Sequence, residues 1–287
     1  MGASDIAYVI GGAGFLGRHL VARLLRDGWR VGVIDPLEPA AEVTHARGRV
    51  TSETLAVLSS RLGAPTHVFH LGGGGSVGIA AADPALDRAL AVESTELVVG
   101  SLPSARLVLV SSAAVYGETH EGPIRERAAC APISVYGRHK LEAEQRAAGH
   151  AVVRLFSVYG PGLRKQLLWD ACEKLRRGEA SFGGTGAELR DWLHVDDAID
   201  LLVTVAALEE PLIVNGGTGV PTAVATALGQ LRSHLGVATP LEFSGETRPG
   251  DPQALVADTA RARALGWAAR VPLADGLAEY ARWYRTC

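Results

Sequence analysis

The stretch Ile6-Ala7-Tyr8-Val9-Ile10-Gly11-Gly12-Ala13-Gly14-Phe15-Leu16-Gly17 decides the fold of this chain. It opens with a continuous apolar run, which predicts a buried strand. After the glycines, apolar residues recur at helical spacing until Asp27-Gly28, where the predicted helix stops. A second apolar run from Arg30 to Ile34 predicts the next strand. Strand, helix and strand together make a βαβ unit with a parallel pairing.

The same alternation continues through the first half of the chain. Further strands are predicted at Thr66 to Leu71, Arg106 to Ser111 and Ala151 to Leu155, each after a helix-like stretch. This pattern predicts an α/β fold of the Rossmann type, a doubly wound parallel sheet. The second half is looser, with helices predicted at Lys165 to Arg177, Val195 to Leu208 and Leu273 to Tyr284.

The glycines at positions 11, 14 and 17 stand between the first strand and its helix. Glycine lets the backbone approach a pyrophosphate, which the helix N-terminus stabilises. Asp35 ends the second strand, where it can accept hydrogen bonds from both ribose hydroxyls of an adenosine. This predicts NAD in preference to NADP, because no Arg or Lys follows until Arg47. The alternatives are a tight turn without a ligand and an Asp that caps the turn at Pro36.

These observations predict two domains. A dinucleotide-binding Rossmann domain is expected over residues 1–160. A smaller, mainly substrate-binding C-terminal lobe is expected over residues 161–287, with the run Leu212 to Val214 returning to the main sheet.

Tyr136 and Lys140 lie four residues apart on a predicted helix, so they project from one face. The ammonium group is expected to stabilise a phenolate and to lower the pKa of Tyr136 from about 10. A tyrosine tuned in this way can act as a general acid and base. Together with the glycine loop, this pair predicts oxidoreductase chemistry. On its own the spacing is common on exposed helices.

Composition narrows the functional classes. The chain has 287 residues, a formal charge of −3 and no basic excess, which argues against a nucleic-acid partner. Three distant cysteines, Cys130, Cys172 and Cys287, argue against a disulfide framework and against a zinc site, and we predict no metal site. The first strand leaves no room for a signal peptide, and the longest apolar run, near Leu201 to Leu208, is too short to span a bilayer. We therefore expect a cytoplasmic protein with no membrane partner.

Several motifs in fixed order resemble the extended short-chain dehydrogenase/reductases, and most of all their NAD-dependent sugar-nucleotide epimerase/dehydratase family. The resemblance covers nearly the whole chain. The motifs are Gly11-x-x-Gly14-x-x-Gly17, Asp35, His70-Leu71-Gly72-Gly73, Val110 to Gly117, Tyr136-x-x-x-Lys140, Arg154 to Gly162, Leu189 to Asp197, Arg248 to Asp251 and Leu265-Gly266-Trp267.

The resemblance implies a role for each candidate residue. Ser112 would hydrogen-bond the reacting sugar hydroxyl or ketone, Tyr136 would exchange its proton, and Lys140 would hold the nicotinamide ribose. Arg190 and Arg248 would bind the substrate pyrophosphate. The implied cofactor-binding residues are Gly11, Gly14, Phe15, Leu16, Gly17, Asp35, Leu71, Gly72, Gly73, Tyr136 and Lys140, and the implied substrate-binding residues are Ser76, Ser157, Arg190 and Arg248. The alternatives are that Ser112 caps a loop and that the arginines form surface salt bridges.

The chain departs from the family pattern in three places. Gly48-Arg49-Val50-Thr51 stands where an acidic residue often contacts adenine. Ala91 replaces the Asn of an Asn-Val-x-Gly-Thr segment, and Ser157 replaces an Asn before Val-Tyr-Gly-Pro. These losses affect the implied substrate site more than the glycine loop.

Dehydratases of the family have an Asp-Glu pair directly after the catalytic hydroxyl residue, where this chain has Ala113-Ala114. Dehydration is therefore not expected, and two reactions remain open. One is NAD-dependent epimerisation at C4 of a nucleotide-activated sugar through a transient 4-keto intermediate. The alternative is an NAD(P)H-dependent 4-ketoreductase of a nucleotide-activated 4-keto-6-deoxy sugar, and a third hypothesis is a redox-sensing binding protein. The resemblance also implies a homodimer, formed through the stretches Leu86 to Leu102 and Lys140 to Ala148.

Overall fold

The structure, a computed structural model, describes residues 5–73, 75, 77–118, 122–246 and 252–287. Its contacts divide the chain into two units. The first unit contains the described residues within 1–116, 130–154 and 199–214. The second contains those within 117–129, 155–198 and 215–287.

The strands in chain order are β1 (Ile6–Ile10), β2 (Arg30–Asp35), β3 (Thr44–Arg47), β4 (His67–His70), β5 (Arg106–Ser112), β6 (Ala151–Leu155), β7 (Ser157–Tyr159), β8 (Ser181–Phe182), β9 (Leu189–Arg190), β10 (Trp192–His194), β11 (Ile213–Gly216), β12 (Thr222–Ala223), β13 (Glu242–Phe243) and β14 (Ala254–Leu255). The α-helices are α1 (Phe15–Arg26), α2 (Ser52–Leu62), α3 (Val77–Ala82), α4 (Pro84–Arg88), α5 (Ser94–Ser101), α6 (Val135–Arg146), α7 (Gln166–Arg176), α8 (Val195–Ala206), α9 (Val224–Leu235), α10 (Ala260–Ala264) and α11 (Leu273–Tyr284). A π-helical turn covers Ala89–Glu93, and a 3₁₀ turn covers Ala113–Tyr116.

The main sheet has seven strands in the order β11-β6-β5-β4-β1-β2-β3. The chain starts at β1 in the middle, runs outward to β3, and then returns to β4 on the other side of β1. The pairings from β3 to β5 are parallel. The predicted Rossmann-type fold is confirmed, and its topological switch point lies between β1 and β4, where such folds bind ligands.

Burial explains why the first elements form. All five residues of β1 are buried, as expected for a central parallel strand. Helix α1 turns Leu20, Val21 and Leu24 inward, which is the apolar stripe that its helical spacing predicted. Helix α2 begins with a capping box between Thr51 and Thr54.

The strand register aligns the ends that carry the candidate site. Ile10 pairs with Ile34 of β2 and with His70 of β4, and His70 pairs with Leu109 of β5. The loops after β1, β2 and β4 therefore leave the sheet at one edge, and β5 continues to Ser112 at the same edge. This places the glycine loop and Ser112 at the carboxyl ends of the strands.

The second unit contains short strands and longer helices. Strand β7 pairs with β10, β8 pairs with β13, and β9 lies between β12 and β14. Helices α7, α9 and α11 pack together around buried apolar side chains. That set comprises Leu168, Ala171, Cys172, Leu175, Ala227, Leu228, Leu231, Leu277, Tyr280 and Ala281.

The run Leu212 to Val214 leads into β11, which forms one edge of the main sheet. Most of the predicted helices and strands lie within one or two residues of their observed bounds, whereas β3 and the short strands of the second half were not predicted. The three cysteines are free thiols.

Candidate active site

Gly12 in the loop between β1 and α1, and Gly17 in the first turn of α1, have no space for a side chain. A Cβ built on Gly17 would lie 2.1 Å from the carbonyl oxygen of Gly11, and one on Gly12 would lie 2.7 Å from the Val33 side chain. Gly14 is the N-cap of α1 and provides no side-chain hydrogen bond to its first turn. A bare backbone at a helix N-terminus fits a pyrophosphate.

Asp35 ties this loop to the end of β2. Its carboxylate is buried and accepts hydrogen bonds from the N–H groups of Ala13, at 3.0 Å, and Leu37, at 2.9 Å. Asp35 therefore caps the turn at Pro36, as the alternative interpretation proposed. Each carboxylate oxygen can accept a second bond, so the ribose interpretation stays compatible with this geometry. Arg47, the first cation after Asp35, donates to the Pro36 carbonyl oxygen.

Ser112, Tyr136 and Lys140 come together in the first unit. Ser112 lies close enough to Tyr136 for its hydroxyl to lower the pKa of the phenol. The Lys140 Nζ lies 5.8 Å from the centroid of the Tyr136 ring. Gly137 permits this approach, because a Cβ there would lie 2.4 Å from the carbonyl oxygen of Ala114. The side chains that a proton relay requires are therefore neighbours.

The predicted direction of the Tyr136 pKa shift is wrong for this structure. Tyr136 is half-buried as a residue, and desolvation of its hydroxyl raises its pKa from 10.0 to about 12, against the hydrogen bond from Ser112. The Asp87 carboxylate also raises this pKa. Lys140 does not overcome these effects, since its Nζ donates to the carbonyl oxygens of Val110, at 3.0 Å, and Gly72, at 3.2 Å. Lys140 thus holds β5 and the loop after β4 together.

His70, the last residue of β4, holds the loop after β4 by a hydrogen bond. It is fully buried, its Nδ1 accepts the Gly72 N–H at 3.2 Å, and its Nε2 lies 2.7 Å from the Ser94 hydroxyl. Ser94 in turn donates to the Leu90 carbonyl oxygen at 2.6 Å. The acceptor role of Nδ1 requires the neutral imidazole with its proton on Nε2. Burial and the charge of Lys140 lower the pKa of His70 from 6.5 to about 3.

This buried imidazole predicts a loss of stability in acid. As pH falls below 6.5, the unfolded chain protonates His70 while the folded protein does not, so the contribution is complete above pH 6.5 and declines towards pH 3. The free energy of unfolding should decrease by up to about 1.4 kcal/mol per pH unit from this group. Urea unfolding at pH 7 and pH 5 measures it. In His70→Asn, which keeps an acceptor but cannot titrate there, the decrease should be smaller, and an equal decrease would contradict the assignment.

The substrate-binding candidates that the structure describes lie in the second unit. Ser157 in β7 donates its N–H to the Asp191 carbonyl oxygen at 3.0 Å, beside Arg190 of β9. Asp191 is fully buried, and its carboxylate accepts bonds from Thr218 and Gly219, which fixes the adjoining loop. Ser76 and Arg248 lie outside the described residues. The substrate roles of these residues remain predictions.

A close contact between Asp87 and His139, beside Tyr136, was not predicted from the sequence. Asp87 of α4 is 1% exposed, and its carboxylate lies 2.7 Å from Nδ1 of His139, three residues after Tyr136 on α6. The i, i+3 spacing puts His139 next to Tyr136 on the helix surface. The sequence signal for His139 is its position on α6, three residues after Tyr136 and therefore on a neighbouring part of the helix surface.

Among the residues that the structure describes, no group of three or more His, Cys, Asp or Glu side chains is arranged to hold a metal ion. No described helix is long and apolar enough to cross a bilayer.

Comparison with known proteins identifies the family. The profile of the NAD dependent epimerase/dehydratase family matches residues 7–217. This chain belongs to that family. A UDP-glucose 4-epimerase of Azospirillum brasilense is 32% identical, in an alignment that covers 99% of this chain and 93% of the relative. The predicted family and the prediction of an NAD-dependent enzyme are therefore confirmed.

Two solved structures are similar to this chain over nearly its full length. MoeE5 in complex with UDP-glucose and NAD is 29% identical with a TM-score of 0.89, and the match covers 99% of each chain. A UDP-glucose 4-epimerase of Thermotoga maritima with UDP-glucose is 26% identical with a TM-score of 0.88, covering 98% of this chain and 99% of the other. The prediction of NAD as the cofactor agrees with the MoeE5 complex, which contains NAD, and with the NAD-dependent family. The homodimer and the cytoplasmic location remain predictions.

Proposed function

We propose that this protein is a 4-epimerase of a UDP-activated hexose, working with tightly held NAD through a transient 4-keto sugar. The observation that carries the proposal is the cluster of Ser112, Tyr136 and Lys140 at the carboxyl edge of the sheet. Ala113 and Ala114 follow Ser112 in the 3₁₀ turn and have no acid or base to offer. The cluster therefore contains one acid–base group, which is sufficient for an alcohol–ketone interconversion.

The residues have separate roles in this reaction. NAD held at the glycine loop would supply the acceptor for the hydride of the sugar C4 and the donor for its return to the opposite face. Tyr136 accepts the proton of the C4 hydroxyl and later gives it back to the carbonyl oxygen. Ser112 orients that oxygen through a hydrogen bond, and Lys140 keeps a positive charge 5.8 Å from the Tyr136 ring.

The cofactor and substrate are assigned to separate groups of residues. The glycine loop and Asp35 would hold the pyrophosphate and adenosine ribose, and Leu71 to Gly73 would hold the nicotinamide side. Ser157 and Arg190 would bind the nucleotide sugar, because the guanidinium fork suits a pyrophosphate. The relatives named above are UDP-glucose 4-epimerases, which supports UDP as the nucleotide.

The test begins with the cofactor that the purified protein retains. The protein is denatured, and the released dinucleotide is identified by chromatography and absorbance. We expect about one NAD per chain, because an epimerase regenerates its cofactor in every cycle. An empty protein that consumes NADH or NADPH with a 4-keto-6-deoxy sugar nucleotide would instead establish the ketoreductase alternative.

The reaction itself is followed by NMR without added cofactor. UDP-glucose and UDP-galactose should each convert to the same equilibrium mixture. In D₂O the hydrogen at C4 should remain protium, because the hydride returns from the cofactor and never exchanges with water. Deuterium at C4 would exclude the proposed 4-keto route, and retained NAD with no conversion of any sugar nucleotide would favour the redox sensor.

A further inference from the structure

Helix α6 carries a third polar residue on the face of Tyr136 and Lys140. Glu144 follows Lys140 by four residues, as Lys140 follows Tyr136, so the three side chains lie along one stripe of the helix. Both Lys140 and Glu144 are buried, and both reach β5. Lys140 contacts the Val110 carbonyl oxygen, and Glu144 contacts Ser111, the residue directly before Ser112.

The contacts of Glu144 are short and buried. The Ser111 hydroxyl donates to Glu144 Oε1 at 2.5 Å, and Ser111 is 2% exposed. Arg154 of β6 donates two parallel bonds to the same carboxylate, from Nε at 3.0 Å and from Nη2 at 2.6 Å. Burial opposes the charge of Arg154, but the hydrogen bonds to Glu144 outweigh it, so the pKa of Arg154 lies above its usual value.

The network also reaches the turn after Ser112. The guanidinium of Arg154 lies 4.9 Å from the centroid of the Tyr116 ring, the last residue of the 3₁₀ turn. Ser112 is thus held between Ser111 on one side and the Tyr116 turn on the other. Both of these neighbours contact the Glu144–Arg154 pair.

A buried ion pair is weak support for stability, because the desolvation of two charges can cancel their attraction. This pair joins α6, which carries Tyr136, to β6, and the Ser111 hydroxyl links Glu144 to the end of β5, which carries Ser112. Small displacements between reacting groups lower rates by large factors. A rigid connection between α6 and β5 therefore fixes the distance between the Ser112 and Tyr136 hydroxyls.

We propose that Glu144, with Ser111 and Arg154, is a positioning residue that sets Ser112 against Tyr136. The network acts through the placement of these two side chains. The kinetic part of this inference rests on the proposed function.

The first experiment removes one bond of the network. In Ser111→Ala the ion pair remains, and we expect kcat to fall by about 10- to 100-fold with KM for the UDP-sugar and NAD retention unchanged. Ser111→Thr keeps the hydroxyl and should recover most of kcat. A wild-type kcat in Ser111→Ala, or a loss confined to KM, would overturn the proposal.

The second experiment separates position from stability. The double variant Glu144→Met, Arg154→Met replaces the ion pair with apolar side chains, an exchange that is often neutral or stabilising. We expect a Tm within about 5 °C of the wild type and a kcat at least about 10-fold lower. If the double variant has both the wild-type kcat and the wild-type Tm, the network is only structural and the proposal is wrong.

A measurement that needs no turnover tests the positioning role separately from the proposed function. In the NAD-loaded protein labelled with ¹³Cζ-tyrosine, the Tyr136 signal is assigned by its absence in Tyr136→Phe. Ser111→Ala should move this signal, because Ser112 is displaced from it, while the signal of Tyr280 should stay in place. An unmoved Tyr136 signal overturns the inference. If the wild type shows no epimerisation, the proposed function fails, and the NMR result still decides the positioning role.

Discussion

Tyr136→Phe should lower kcat by about 10²- to 10⁴-fold, the usual contribution of a positioned general acid and base. The variant removes only the phenol hydroxyl, whose pKa Ser112 lowers. The glycine loop and Asp35 are untouched, so the purified variant should retain as much NAD as the wild type. Activity is measured by NMR with UDP-glucose, and the retained dinucleotide is measured after denaturation.

The raised pKa of Tyr136 also predicts how the rate depends on pH. Tyr136 must lose a proton to act as a base, and its pKa in the protein is raised to about 12, so the wild-type rate should increase with pH through the neutral range. A cationic nicotinamide ring favours the phenolate and would move this rise to lower pH. The residual activity of Tyr136→Phe should lack the rise.

A matched control removes a phenol hydroxyl elsewhere. Tyr284 lies in α11 and donates to the Glu173 carboxylate at 2.7 Å. Tyr284→Phe should keep the wild-type kcat and its dependence on pH. If Tyr136→Phe keeps wild-type activity too, a different group moves the proton and the proposed mechanism is wrong.

Local pattern was enough to predict the parts of the fold that depend on neighbours in sequence. The bounds of β1 and α11 match the prediction, because β1 is a continuous apolar run and α11 has apolar residues at helical spacing. The two-residue strands β9, β12 and β14 have no period to detect. Their partners lie more than thirty residues away along the chain, and only the folded chain shows the pairing.

The same limit applies to the candidate site. The spacing of Tyr136 and Lys140 predicted one shared face, and the structure places the Lys140 ammonium near the Tyr136 ring. The spacing did not reveal that the ammonium donates to two carbonyl oxygens, because these belong to Gly72 in the loop after β4 and to Val110 in β5. Extending the four-residue spacing once more would have reached Glu144. Its partners Ser111 and Arg154 could not be inferred, since they come from two other strands.

The glycine loop offers the second large effect, in the variant Gly17→Ala. The added Cβ would lie 2.1 Å from the Gly11 carbonyl oxygen and 2.6 Å from the Gly12 Cα, and both are backbone atoms that cannot rotate away. Either the loop or the first turn of α1 must move, which costs at least about 1–3 kcal/mol. The displaced N–H groups would no longer converge on a pyrophosphate. We expect NAD to bind at least about 100-fold more weakly, a loss of about 2.7 kcal/mol, and to be lost during purification.

Gly229→Ala is the matched control for Gly17→Ala, since Gly229 also lies inside a helix, α9, and a Cβ there would meet nothing within 4 Å. Alanine should stabilise that helix by about 0.5–1 kcal/mol and leave the bound NAD unchanged. Isothermal titration of NAD into cofactor-free protein, with thermal unfolding of the same samples, separates the two effects. If Gly17→Ala binds NAD like the wild type, the pyrophosphate does not lie on this loop, and the cofactor assignment of Gly11, Gly14 and Gly17 has to be abandoned.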